Sequence, residues 1–84
     1  MTYRSRTDIA AQILEAANGG GITQTKITYK ALVSYDQLKD YLMVLIQHGL
    51  LRHDQDTRTF KTTEKGLRFL EAYTQIDNMI KAAS

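Results

Sequence analysis

The side chains in this sequence that could do chemistry are mainly cations, grouped as if to hold an anion rather than to break a bond. Lys26 and Lys30 stand one helical turn apart, and Arg52, Arg58 and Lys61 crowd into one short stretch. Basic groups placed against phosphate oxygens set the register of a protein on a duplex without reading its sequence. Ser34, Tyr35, Gln37 and Lys39 open a helical pattern, and the first residues of a helix presented to DNA reach base edges. The candidate DNA-binding residues are therefore Lys26, Lys30, Ser34, Tyr35, Gln37, Lys39, Arg52, Arg58 and Lys61. Each also has a plainer role. The lysines suit a solvated face, Ser34 a helix cap, and the Tyr35 ring half-buried packing. The hairpin cations suit pairing with Asp54 and Asp56. Arg4 and Arg6 read as a short flexible arm ahead of the first helix, able to add backbone contacts or simply to be a free terminus.

The pattern does not suit catalysis. The chain has no cysteine, so neither a disulfide framework nor a thiolate metal site is available. His53 has no second histidine or carboxylate at ligand spacing, and there is no Ser-His-Asp arrangement. Asn18-Gly19-Gly20-Gly21 lacks the lysine and preceding strand of a phosphate loop and reads as a helix stop. No enzyme, metal, cofactor or small-molecule ligand is expected. Eleven basic against nine acidic side chains give a net charge of +2, so charge placement rather than total charge must decide the partner. The N-terminus is polar, and no apolar run approaches the ~20 residues needed to span a bilayer. A cytoplasmic, nucleoid-associated protein is expected.

Those side chains need a scaffold, and 84 residues with a 43% apolar fraction make one small globular domain. Residues 1–62 read as three helices (about 7–18, 23–31 and 34–48) followed by a hairpin at 50–62. A helix over 63–84 first closes the core and then continues beyond it. Thr7 or Asp8, Thr23, Ser34 and Thr63 are the expected helix caps. Ile9, Ile13, Ala16 and Ala17 should face inward on the first helix. Leu38, Tyr41, Leu42, Leu45 and Ile46 should do so on the third, with Leu67 and Leu70 on the last. Two helices with a tight link at Leu32-Val33-Ser34 and a hairpin after the second form a winged helix-turn-helix, mainly α with a small β-hairpin.

Lys26-Ile27-Thr28-Tyr29-Lys30, Leu32-Val33-Ser34-Tyr35 and Thr63-Glu64-Lys65-Gly66 carry a further signal. With the stretches around them, the chain from about Ile9 to Tyr73 resembles the archaeal winged helix-turn-helix family of small transcription regulators and chromatin proteins. The resemblance implies binding of double-stranded DNA as a homodimer joined antiparallel through the last helix. In that family mainly neutral or basic residues are expected on the outer face of the third helix. Here Asp36 and Asp40 stand there, where they repel phosphates, unless they accept from cytosine N4.

Phe69, Tyr73, Ile76 and Ile80 recur at four-three-four spacing, as coiled-coil seam positions do. They are the expected dimerisation residues; burial of this stripe against the first helix within one chain is the alternative. Two functions follow: a homodimeric DNA-binding regulator or chromatin protein, or a winged-helix adaptor for other proteins, which the Asp36/Asp40 pair favours.

Overall fold

The computed structural model describes residues 4–83. Helix α1 (Arg6–Ala16) is started by Ser5, whose hydroxyl accepts from the Asp8 amide while the Asp8 carboxylate accepts from the Ser5 amide at 3.0 Å. This reciprocal capping box satisfies two amides that a helix start leaves without partners. The cap thus lies earlier than the Thr7 or Asp8 start expected from the sequence, and Asp8 is its third-residue partner. The helix ends at Ala17, ahead of a turn in which Gly19 takes φ 106°.

Helix α2 (Gln24–Ala31) is capped by Thr23, as expected, and closes at Leu32. Leu32 sits at φ 55° and ψ 50°, the left-handed region, which costs a non-glycine residue roughly 1–2 kcal/mol. Helix α3 (Tyr35–Gln47) begins with a second capping box between Ser34 and Gln37 and ends at His48-Gly49. Strands β1 (Leu51–Asp54) and β2 (Thr59–Thr62) pair antiparallel, with Arg52 opposite Lys61 and His53 opposite Phe60. Ile22 adds an isolated bridge to Phe60 through two backbone bonds of 3.0 and 2.7 Å.

Helix α4 (Glu64–Ala83) is fastened at its start to the end of α3. The Thr63 hydroxyl accepts from the Gly66 amide and donates to Gly49 O at 2.6 Å, while Lys65 Nζ donates to His48 O at 2.9 Å. The Thr63-Glu64-Lys65-Gly66 motif is thus a clamp between two helices.

Ile13, Leu14, Ile27 and Leu38 lie fully inside, surrounded by Ala17, Ile22, Ala31, Val33, Leu42, Leu45, Leu51 and Phe60. The buried Thr62 hydroxyl donates to Leu14 O at 2.6 Å, and the Thr62 amide donates to Ala17 O. Two inward expectations are corrected. Ile46 is 39% exposed, because the buried line through Leu38, Leu42 and Leu45 leaves the next residue about 100° further round the helix. Leu67 is 37% exposed; Phe69 and Leu70 pack on the core instead, since buried Gly66 turns its own side of α4 inward.

Candidate nucleic-acid interface

The hairpin sorts its side chains by the alternation of a strand. Leu51, Phe60 and Thr62 are buried, and His53 stacks on Phe60 with ring centroids 4.4 Å apart. The opposite face presents Arg52 and Lys61 side by side. With Gly21, Asp54, Thr57 and Thr59 they line a depression of about 400 Å³. Asp54 is a turn builder, its carboxylate accepting from the Asp56 and Thr57 amides at 3.0 and 3.4 Å. Ion pairing of Asp54 and Asp56 with the hairpin cations is not made. Among the described residues the ion pairs found, Arg68–Glu64 and Lys81–Asp77, both lie on α4. Arg58 stands in the loop at φ 56°, so a left-handed residue carries the positive charge nearest the tip.

On α3 the line opposite the buried one runs through Asp36, Asp40, Met43 and Gln47, with Met43 69% exposed. Both carboxylates therefore face outward, as the sequence suggests. Ser34 and Gln37 are engaged with each other's backbone amides at 3.1 and 3.3 Å, so the cap occupies both. Tyr35 is 57% exposed, with Lys39 Nζ 5.9 Å from its ring centroid. At this first turn the core is reached by Val33 and Leu38, and the ring lies outside it.

Helix α2 separates its two lysines by surroundings. Both are exposed, but Lys30 overlooks a depression it shares with Gln12, Glu15, Ala16 and Leu32, on the side of α1. The arm expected at Arg4 and Arg6 is corrected. The Arg4 guanidinium donates to Ala31 O at 2.5 Å, to Leu32 O at 2.7 Å and to the Gln12 side chain. Arg6 is the first residue of α1, and its guanidinium lies 5.4 Å from the Tyr41 ring centroid.

The α4 stripe divides. Phe69 packs against the core and lies parallel to Tyr73 at 6.5 Å. The Tyr73 hydroxyl donates to the Asp8 carboxylate. That bond, with those from Ser5, holds Asp8 below the usual carboxylate range and pushes the Tyr73 phenol up to about 12. Ile76 and Ile80 stay 57% and 64% exposed, and Met79, which the stripe spacing missed, is 70% exposed. Phe69, Ala72, Tyr73, Ile76 and Ile80 line a groove of about 310 Å³ against Ser5, Thr7 and Asp8. The Tyr73–Asp8 bond joins residues 65 apart, and no local pattern signals it. Among the described residues no group of His, Cys, Asp or Glu is placed to hold a metal ion, and no helix is long and apolar enough to cross a membrane.

A model of the winged helix-turn-helix family matches residues 3–81. Among solved structures, the crystal structure of Sso10a-2, a DNA-binding protein from Sulfolobus solfataricus, is similar to this chain with a TM-score of 0.79. The two are 24% identical, and the match covers 95% of this chain and 88% of that one, a likeness of fold. No curated protein matches the sequence.

Proposed function

The chain belongs to the winged helix-turn-helix family, and from that premise we propose that it binds double-stranded DNA as a homodimer. On this reading it is a transcription regulator or chromatin-associated protein of the archaeal type, acting at the nucleoid in the cytoplasm. The observation that carries DNA binding is the hairpin face on which Arg52 and Lys61 stand side by side without an ion-pair partner among the described residues. Arg58 in the loop and Lys26 at the start of α2 extend the same chemistry. Lys39 and Tyr35 at the open start of α3 would meet the bases, with Ser34 and Gln37 joining only when released from the cap. Lys30, which overlooks the depression on the side of α1, would contribute least. The fold of a DNA-binding protein from Sulfolobus supports the reading.

The homodimer rests on the groove along α4. Ile76, Met79 and Ile80 are more than half exposed on a helix of 20 residues, and an apolar stripe of that kind marks an interface. A second copy fits because the stripe is spaced as a coiled-coil seam, with Phe69 and Tyr73 at its inner end supported by the core.

Fluorescence anisotropy of a labelled random duplex, titrated at several salt concentrations, tests the proposal. Tight binding that weakens steeply with salt is the expected result, because released counterions dominate such affinities. Absence of binding at low salt would defeat it. It would favour the second reading, a protein-interaction adaptor that uses the outward line of Asp36, Asp40 and Met43 on α3.

A further inference from the structure

Arg4 and Tyr73 lie at opposite ends of one run of hydrogen bonds, and the turn between α2 and α3 lies beyond one of them. We propose that residues 4–8 form a strap that holds the helix-turn-helix in its DNA-reading shape, with Arg4 as a positioning residue that touches no phosphate. The inference rests on the DNA-binding reading above.

The turn needs such support. Helix α2 has only eight residues, a length at which an isolated helix is marginal. Its C-terminal end carries partial negative charge. It is closed by Leu32 in a backbone conformation that leucine disfavours. Thr28 O already accepts from the Leu32 and Val33 amides. Ala31 O and Leu32 O accept instead from the Arg4 guanidinium, whose planar fork reaches two successive carbonyls as a lysine ammonium does not.

What places Arg4 is the residue after it. Ser5 is the cap of α1, and its amide donates to one oxygen of the Asp8 carboxylate. The other oxygen of that carboxylate accepts from the Tyr73 hydroxyl on α4. One continuous set of bonds therefore runs from α4 through the start of α1 to the end of α2. Cutting it at either end loosens the same turn. Apparent DNA affinity then falls with the fraction of molecules that keep the turn closed. The number of phosphate contacts does not change, so neither does the salt dependence.

The test compares Arg4→Gln, Arg4→Lys, Tyr73→Phe and the double variant Arg4→Gln/Tyr73→Phe with the wild type. All are full chains checked for fold by circular dichroism, with affinity for a labelled duplex read across salt. Tyr73→Phe should weaken binding by about three- to tenfold, the size of one lost hydrogen bond, and Arg4→Gln, which gives up the bonds to Ala31 O and Leu32 O, by at least as much, both with an unchanged salt slope. Arg4→Lys should not restore it. The double variant should lose less than the product of the two single losses, because one strap is cut once. A slope that falls by about 0.9 in Arg4→Gln would make Arg4 a phosphate contact and overturn the proposal. So would unchanged affinity, or losses that multiply. If Arg4→Gln does not fold, hydrogen exchange at the Val33 amide of Tyr73→Phe decides: faster exchange supports the strap, and wild-type protection refutes it. If the wild type binds no duplex, the DNA reading fails, and the strap is judged by that exchange alone.

Discussion

Replacing Gly66 by alanine should destabilise the protein, although alanine is the better helix former. Gly66 is buried in the first turn of α4. A Cβ built there would meet Thr62 Cγ2 at 2.6 Å and the Leu50 carbonyl carbon at 3.2 Å, and would collide with Leu50 O. Carbon atoms rest at about 3.5–4.0 Å, so α4 would have to back away by close to an ångström. It would do so where Thr63 holds it to Gly49 and Leu50 by bonds of 2.6 and 3.1 Å. Overpacking of this kind costs about 1–3 kcal/mol. Helix propensity returns about 1 kcal/mol. A backbone carbonyl cannot rotate aside, which puts the overpacking in the upper part of that range, about 2–3 kcal/mol, and leaves a net loss of about 1–2 kcal/mol, at about 4–8 °C of melting temperature per kcal/mol. Gly20→Ala is the control. Its Cβ meets nothing within 4 Å and its φ is not positive, so the same exchange should stabilise by about 0.4–1 kcal/mol. Thermal melts at one fixed protein concentration compare the two, since the melting temperature of an associating chain depends on concentration. A Gly66→Ala variant that melts at or above the wild type would refute the argument that close approach fixes the seat of α4.

Three further outcomes are expected. Ile76→Asp with Ile80→Asp should give a folded monomer by light scattering, and an unchanged mass would remove the α4 interface. Arg52→Ala with Lys61→Ala should flatten the salt dependence of DNA binding by about 1.8, two phosphate contacts' worth; an unaltered slope would return both to a solvated face. Tyr73→Phe should lower the stability maximum and flatten its pH dependence, read as urea midpoints. Asp8, lowered in the folded state, adds stability above its ordinary value of 3.8 and loses it as pH falls through the lower folded value. Tyr73 adds stability below its ordinary 10.0 and loses it as pH rises through about 12. The stability gap between wild type and variant should therefore be widest between those two ordinary values and close on either side. A gap that stays constant across the whole range would count against the bond.

Order and type of the elements were legible because their signals are local. Thr23 and Ser34 stand directly before helical patterns, and the glycines after Asn18 stop α1. Where several residues could serve one role, the sequence alone did not choose. Ser5, Thr7 and Asp8 can all cap a helix, and Ser-Arg-Thr-Asp makes a box only when Asp8 is read as the partner of Ser5. Leu32 gave no warning of its left-handed backbone, since glycine is the usual marker there. The hairpin cations were found by residue type, but their shared face needed the register of Arg52 against Lys61. The anchorage of Arg4 spans 27 residues to Ala31 and that of Tyr73 spans 65 to Asp8, and no spacing rule reaches so far. Ile46 and Leu67 are more exposed than their spacing predicts because a helical stripe several residues wide leaves the rotation of the helix to its neighbours.

The bond from Thr62 to Leu14 has a consequence for the order in which the molecule is made. It joins residues 48 apart, and the start of α1 is met later still by Tyr73. A ribosome supplies α1 first, and α1 can pair with α2 soon afterwards. Leu14 O and Ala17 O nevertheless wait for β2, and Asp8 waits for the middle of α4. The first helix to be synthesised is thus the last to be completed. Folding as one unit once the hairpin and the first half of α4 are made is the outcome this connectivity favours.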